Sequence, residues 1–243
     1  SWAIACRTPS DLGFDDSGYI LPPLHIEPHF VESGWTPEGE LFTARLNGIT
    51  ERSQVRKATL DERVAKAVEL VESEADEQWL IWCGMNAEST ALAQGIDGAV
   101  EVVGSDSSDV KAERLADFAE GRTRYLVTKT SIAGMGLNFQ SCARMVFVGL
   151  SDSYEQYYQA IRRCYRFGQA REVHAHIVLA DVEESIYLNV LDKEHTAKAT
   201  STGLIAAVAS DNRAQLFKGT AKADNFEPTI PALIPSWLTG AAS

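Results

Sequence analysis

The chain has 243 residues, with 22 Lys or Arg against 34 Asp or Glu and a formal net charge of −12. Hydrophobic residues make up 45% and charged residues 23%, the balance of a soluble globular protein of one domain or two small ones. That much excess acid excludes loose coating of nucleic acid or anionic membrane. No apolar run approaches the roughly 18 residues of a membrane span, and the first residues do not read as a signal peptide. Cys6, Cys83, Cys142 and Cys164 form no CxxC pair and suit neither a zinc site nor a disulfide framework. Reduced cysteines and a cytoplasmic location are expected.

In chain order, residues 1–24 combine Pro9, Gly13, Gly18, Pro22 and Pro23 with Asp11, Asp15 and Asp16, which predicts an extended connector. His25 to Val31 reads as a strand that Pro28 demotes to an edge. Thr50 to Ser73 has Val55, Leu60, Val64, Ala67, Val68 and Val71 near helical spacing and many charges. It reads as one or two amphipathic helices with a solvated face, an insertion at about 50–75. Gln78–Cys83 is a continuous apolar run, the mark of a strand covered on both faces. Asn86 is placed to cap a helix through Gln94, and Ala99–Val103 follows as a strand. Ser108 opens a helix that ends at Gly121. Arg124–Lys129 and Met145–Leu150 are strands, Ser153 to about Arg166 a helix, and Val173–Ala180 a last strand. Strands alternating with helices predict right-handed βαβ units and a mostly parallel α/β sheet over residues 25–180. Residues 181–243 read as a helical appendage, with helices at Asp181–Lys198 and Ala206–Ala214 and an irregular Pro-containing tail.

Two segments carry the chemistry. Lys129 to Phe139 (KTSIAGMGLNF) follows a strand and is rich in small residues. Small residues there let backbone approach a phosphate closely, or serve a surface loop that only needs to turn. Gln159 to Gln169 (QAIRRCYRFGQ) puts Arg163 and Arg166 three apart on a helix, with Gln159 one turn earlier on the same face. Paired guanidinium forks suit phosphate oxygens; the competing reading is surface ion pairing with Glu155. Four arginines within ten residues of an acidic chain (Arg162, Arg163, Arg166, Arg171) favour phosphate.

These two segments resemble motifs V and VI of the second RecA-like lobe of superfamily 2 helicases, in the Swi/Snf-type branch and its phage- and prophage-encoded DEAD/DEAH-like group. The motif VI pattern Q-A-x-D-R-x-x-R-x-G-Q is matched except that Arg162 stands where Asp is usual. The motif V pattern S-T-R-A-G-G-L-G-I-N-L is matched at Thr130, Gly134, Gly136 and Asn138, with Ser131 in place of Arg and Ala133 in place of Gly. Trp79–Asn86 resembles motif IV, Gly104-Ser105-Asp106 with Arg114 and Phe118 the segment before motif V, and Thr8–Leu24 the connector between lobes.

The resemblance implies a RecA-like fold and a nucleic-acid-dependent ATPase acting on ATP with Mg²⁺. Arg163 and Arg166 would be arginine fingers on the γ-phosphoryl group. Gln159, Gly134, Gly136 and Asn138 would serve the nucleotide, and Lys129 and Thr130 the nucleic-acid backbone. Its partners would be double-stranded DNA and the N-terminal RecA-like lobe of the same polypeptide, with no membrane. No GxxxxGK[ST] loop occurs in the 243 residues, and Asp76-Glu77 precedes its apolar strand rather than ending one. The chain alone is therefore expected to be inactive, with ATP and Mg²⁺ held mainly by the other lobe. The alternative is a non-catalytic interaction module that keeps the lobe.

His174 and His176 alternate on one strand, but no acid or cysteine lies at ligand spacing nearby in the sequence. They and His25 and His29 read as packing or surface residues, and no metal site is expected. Tyr154, Tyr157 and Tyr158 read as core more than base-stacking platforms. Residues 121–171 contain eight basic residues and two acids, a local charge of +6 against −18 elsewhere. The net acidity thus averages a basic, phosphate-facing window with an acidic shell.

Overall fold

The structure is a computed structural model that describes residues 8–17, 19–34, 49–132, 138–151 and 153–217. Two compact units are distinguished, Gly18–Thr200 and Ser1–Ser17 with Ser201–Ser243.

The larger unit holds six strands: β1 (Leu24–Val31), β2 (Trp79–Cys83), β3 (Ala99–Val102), β4 (Tyr125–Lys129), β5 (Arg144–Val148) and β6 (Val173–Ala180). They form one sheet in the order β1-β6-β5-β2-β4-β3, and every pairing is parallel. Its helices are α1 (Ile49–Ala58), α2 (Leu60–Ser73), α3 (Asn86–Gly95), α4 (Ser108–Ala119) and α5 (Tyr154–Ile161); α6 (Glu184–Phe217) begins here. This is a RecA-like α/β architecture.

Both faces of the sheet are covered, which is why β2 reads as an unbroken apolar run. Its alternate residues Leu80 and Trp82 join Phe118 of α4 and Tyr157 of α5 in one core cluster. Trp79, Ile81 and Cys83 join Ala67 and Val71 of α2 and Leu92 of α3 in the other. Each fully buried large aliphatic contributes about 1.5–3 kcal/mol, so the two faces together supply the main drive to fold. Pro28 sits in β1 at the sheet edge, where a missing N–H costs least.

Several local expectations shift. The cap of α4 is Ser107 rather than Ser108, its hydroxyl accepting from the Val110 N–H at 3.3 Å. The start of α3 is closed by Glu88 reaching back to the N–H groups of Gly84 (2.8 Å) and Met85 (2.9 Å), not by the Asn86 side chain. The two expected C-terminal helices are one helix, α6, preceded by a 3-10 turn at Asp181–Glu183. Within residues 8–17 the connector holds a 3-10 turn, Pro9–Leu12, closed by Asp11 Oδ2 accepting from the Thr8 N–H (3.1 Å) and by Gly13 at φ 90°. The same Pro, Asp and Gly residues that exclude a long element make a short capped one.

The charged segment 49–73 is also less solvated than its composition suggests. Arg63 is 0% exposed and donates to Glu88 Oε1 at 2.5 Å, to Thr59 Oγ1 at 3.1 Å and to the Arg56 carbonyl at 2.6 Å. Arg56 in turn donates to Glu183 Oε1 at 2.7 Å and to the Leu150 carbonyl. Glu183, fully buried, accepts the Ala180 N–H. This chain of charges fastens α1 and α2 to the residues just beyond β2, β5 and β6, the carboxyl edge of the sheet.

Candidate functional site

That carboxyl edge carries a cavity of about 420 Å³ lined by Trp82, Thr130, Ser131, Ser153, Glu155, Gln156, Gln159, Ala160 and Arg163. Ends of parallel strands are where a doubly covered sheet leaves a crevice for ligands. Thr130 and Ser131 stand directly after β4. Gln156, Gln159 and Ala160 come from α5, whose first turn is capped by Ser153 Oγ accepting from the Gln156 N–H at 3.3 Å. Two segments about thirty residues apart in sequence thus meet across one pocket.

The arginines do not sit on a helix as expected. The helix α5 ends at Ile161, Arg162 caps it, and Arg163 to Gln169 follow as turns. The Arg163 N–H donates to Ala160 and the Arg163 carbonyl accepts from the Phe139 N–H at 2.8 Å, tying this turn to the end of the preceding motif. Gln159 and Arg163 therefore share the pocket, while Arg166 turns to Asn138 and donates to its Oδ1. The Arg166 Nε is buried with no partner among the described residues, as is the indole Nε1 of Trp82 in the pocket wall.

Charge and burial act together on Arg163. Burial first, and the like charge of Arg166 second, hold its guanidinium below the usual arginine range. A partly desolvated cation beside another cation gains most from an arriving anion. The pocket's donors include Arg163, the Gln159 amide and the Thr130 and Ser131 hydroxyls, a set that fits phosphate oxygens. Among the described lining residues Glu155 is the one carboxylate. Mg²⁺ is held through one or two carboxylates together with substrate phosphates, and Glu155 is the described lining residue of that kind.

The other candidates fall as follows. Lys129, at the end of β4, donates to Asn86 Oδ1 at 2.6 Å and so touches the first residue of α3. Gly134 and Gly136 lie outside the described residues. Arg162 stacks on Tyr158 (5.1 Å) and Tyr165 (5.7 Å). Tyr157 is buried against Phe147, as expected of core, whereas Tyr158 is exposed. Phe167 stacks on Tyr19 at 5.3 Å, which brings the segment entering β1 to the arginine-bearing turn.

Composition alone did not reveal the part played by Gln169. It is buried, and its amide donates to the carbonyls of Gln140 (3.1 Å), Cys142 (3.0 Å) and Cys164 (3.3 Å) while its oxygen accepts from the Arg171 N–H (3.0 Å). It rivets the arginine turn to the segment entering β5. Trp82 was also hidden, because it stands inside an apolar run whose signal is core.

Residues 62–168 match the family model of the helicase conserved C-terminal domain. Over residues 62–168, under half of the chain, the sequence is thus similar to a helicase C-terminal domain. Among solved structures, S. cerevisiae Dbp5 bound to RNA and ADP BeF3 is 14% identical with a TM-score of 0.50, over 71% of this chain and 39% of that one. The C-terminal part of the Fun30 ATPase domain is 18% identical with a TM-score of 0.48, over 53% of this chain and 44% of that one. At 14% identity the Dbp5 likeness establishes the fold. The chain spans less than half the length of these structures. No curated protein matches the sequence significantly. No helix among the described residues is long and apolar enough to cross a membrane.

Proposed function

We propose that this chain is the second motor lobe of an ATP-dependent nucleic-acid helicase or translocase, acting on DNA, and that it lends arginine fingers to an ATP site completed by an N-terminal RecA-like lobe. The observation that carries the reading is the meeting of Gln159 and Arg163 with Thr130 and Ser131 in one donor-rich pocket, with the Arg163 guanidinium partly desolvated beside Arg166. A desolvated guanidinium stabilises charge that grows on a transferring phosphoryl group far more than a solvated one does.

In this reading Arg163 donates to the γ-phosphoryl oxygens as negative charge builds there. Arg166 exchanges Asn138 for the same group, and Asn138, freed, turns to the nucleotide sugar along with Gly134 and Gly136. Gln159 passes the state of the pocket to α5. Lys129 and Thr130, at the end of β4, take the nucleic-acid backbone. Mg²⁺ and the phosphate cradle belong mainly to the other lobe in this reading, because no GxxxxGK[ST] loop occurs in these 243 residues.

The test is steady-state ATPase with duplex DNA, single-stranded DNA and RNA, using a polypeptide that carries both lobes. Arg163→Ala is expected to lower kcat by roughly a thousandfold or more while KM moves much less, as for removal of an arginine finger. Duplex DNA is expected to stimulate most, and this chain alone to hydrolyse no ATP above background. An Arg163→Ala variant within tenfold of wild type, or rates indifferent to every polymer, would sink the proposal.

A further inference from the structure

The parallel pairing of β1 with β6 brings together four histidines that the sequence holds far apart. In register, His25 faces His174 and Glu27 faces His176, and residues 25, 27 and 29 share the face of 174 and 176. The result is an inner group of Glu27, His29 and His176, and an outer group of His25, Glu172 and His174. Two acids that the sequence reading passed over, Glu27 between His25 and His29 and Glu172 two residues before His174, stand beside these imidazoles.

The geometry points to a metal site: we propose that Glu27 Oε2, His29 Nε2 and His176 Nδ1 bind one divalent ion of the zinc class and so pin the edge strand β1 to β6. His29 Nε2 lies 3.1 Å from His176 Nδ1, and His176 Nδ1 lies 3.8 Å from Glu27 Oε2; all three atoms fall within 4.8 Å of one another. Two ligands at about 2.0–2.1 Å from a tetrahedral zinc ion sit roughly 3.4 Å apart, between those two separations. The 3.8 Å gap is too long for a hydrogen bond and suits two ligands of one ion.

Orienting contacts are in place as well. Glu27 is held through its other oxygen, Oε1, by His174 Nδ1 at 3.1 Å, the outer-sphere partner a ligating carboxylate needs. The His176 imidazole is buried and stacked on Trp79 at 5.5 Å, which sets its ring plane. Two imidazoles and one carboxylate are a donor set for zinc and its first-row neighbours rather than for calcium or magnesium. The ion would join His29 and His176, 147 positions apart, at the sheet edge, where β1 pairs with β6 and with no other strand among the described residues.

Zinc titration of the chain by calorimetry, paired with thermal unfolding, tests this. The unmodified chain is expected to take up one zinc ion and to unfold at a higher temperature as zinc saturates it. His29→Gln and Glu27→Gln, both at half-buried positions, are expected to lose at least tenfold in affinity and most of the thermal shift. His174→Ala is expected to lose about 10–100-fold as an outer-sphere change, and His25→Gln to bind as wild type does. Cobalt(II) on the unmodified chain reads the site without substitution, with the intense visible bands of a four-coordinate ion that zinc then abolishes. Failure of the unmodified chain to bind zinc saturably, zinc affinity in His29→Gln equal to wild type, equal losses in His25→Gln and His29→Gln, or a weak six-coordinate cobalt spectrum would each overturn the proposal.

Discussion

Replacing Arg63 with Met keeps most of its volume and removes its charge from the interior of the sheet's carboxyl edge. The side chains of Arg63 and Glu88 are 0% and 1% exposed, and their 2.5 Å contact is one of three hydrogen bonds that Arg63 makes. In Arg63→Met the Glu88 carboxylate stays buried against the Gly84 and Met85 N–H groups with its other oxygen unpaired. Breaking one side of a buried pair costs about 3–5 kcal/mol, a large part of the roughly 5–15 kcal/mol that holds a domain folded. At about 2–4 °C per kcal/mol for a chain of this size, the melting temperature should fall by about 6–20 °C.

Glu88→Gln should cost a similar amount, because its amide N–H would confront the guanidinium. The double variant Arg63→Met/Glu88→Gln buries no charge, and its Gln carbonyl still accepts from Gly84 and Met85. It should be more stable than the sum of the singles by a few kcal/mol, a coupling that urea denaturation of the four proteins measures. A fall of less than 2 °C in Arg63→Met, or strict additivity in the double variant, would refute the view that this pair fastens α2 to the first turn of α3.

Three further outcomes follow from specific contacts. Gln169→Ala strips a hydrogen bond from each of three carbonyls and one N–H in a buried setting. It should destabilise by roughly 2–3 kcal/mol in chemical denaturation; a change under 0.5 kcal/mol would contradict its role as a rivet. Gly149 (φ +82°) and Gly121 (φ +76°) both occupy the left-handed region, but a Cβ at Gly149 would lie 3.3 Å from Arg63 Nη1 and one at Gly121 would meet open space. Alanine at either should cost about 1–2 kcal/mol, and Gly149→Ala should exceed Gly121→Ala; the reverse order would fail the argument. Burial pushes the Cys83 thiol up to about 11, leaving about one thiolate in a thousand at pH 8. In a Cys6→Ser background, native Cys83 should resist a thiol reagent at pH 8 and label faster as pH climbs toward 11. Rapid labelling at pH 8 before unfolding would contradict that burial.

Much of the fold was legible because its signals are local. The apolar run at β2, the alternation of strands with helices and the edge-marking Pro28 each depend on residues within a few positions of one another. Where helices end was less legible. The arginine motif has helical spacing, yet α5 stops at Ile161 because the Phe139 N–H and the Gln169 amide hold the following turns from another part of the chain. Arg63 reads as a surface charge on an amphipathic helix, since nothing in its own segment reveals that Glu88 waits 25 residues later.

By itself the sequence determined the α/β class, the order of the strands along the chain and the two motifs that meet at the carboxyl edge. Those rest on periodicity and spacing, which the chain carries wherever it folds. Only the tertiary structure decided how the charges are used. Of the basic window, Arg122 pairs with Asp117 and Glu120, Arg144 with Glu74 and Arg171 with Glu77, all acids from outside it. Arg163 faces the pocket and Arg166 stands beside it. The same pairing of distant strands gathered four histidines and Glu27 on one face. Coulomb attraction and ligand geometry act over a few ångströms in space, a distance that separation along the chain does not encode.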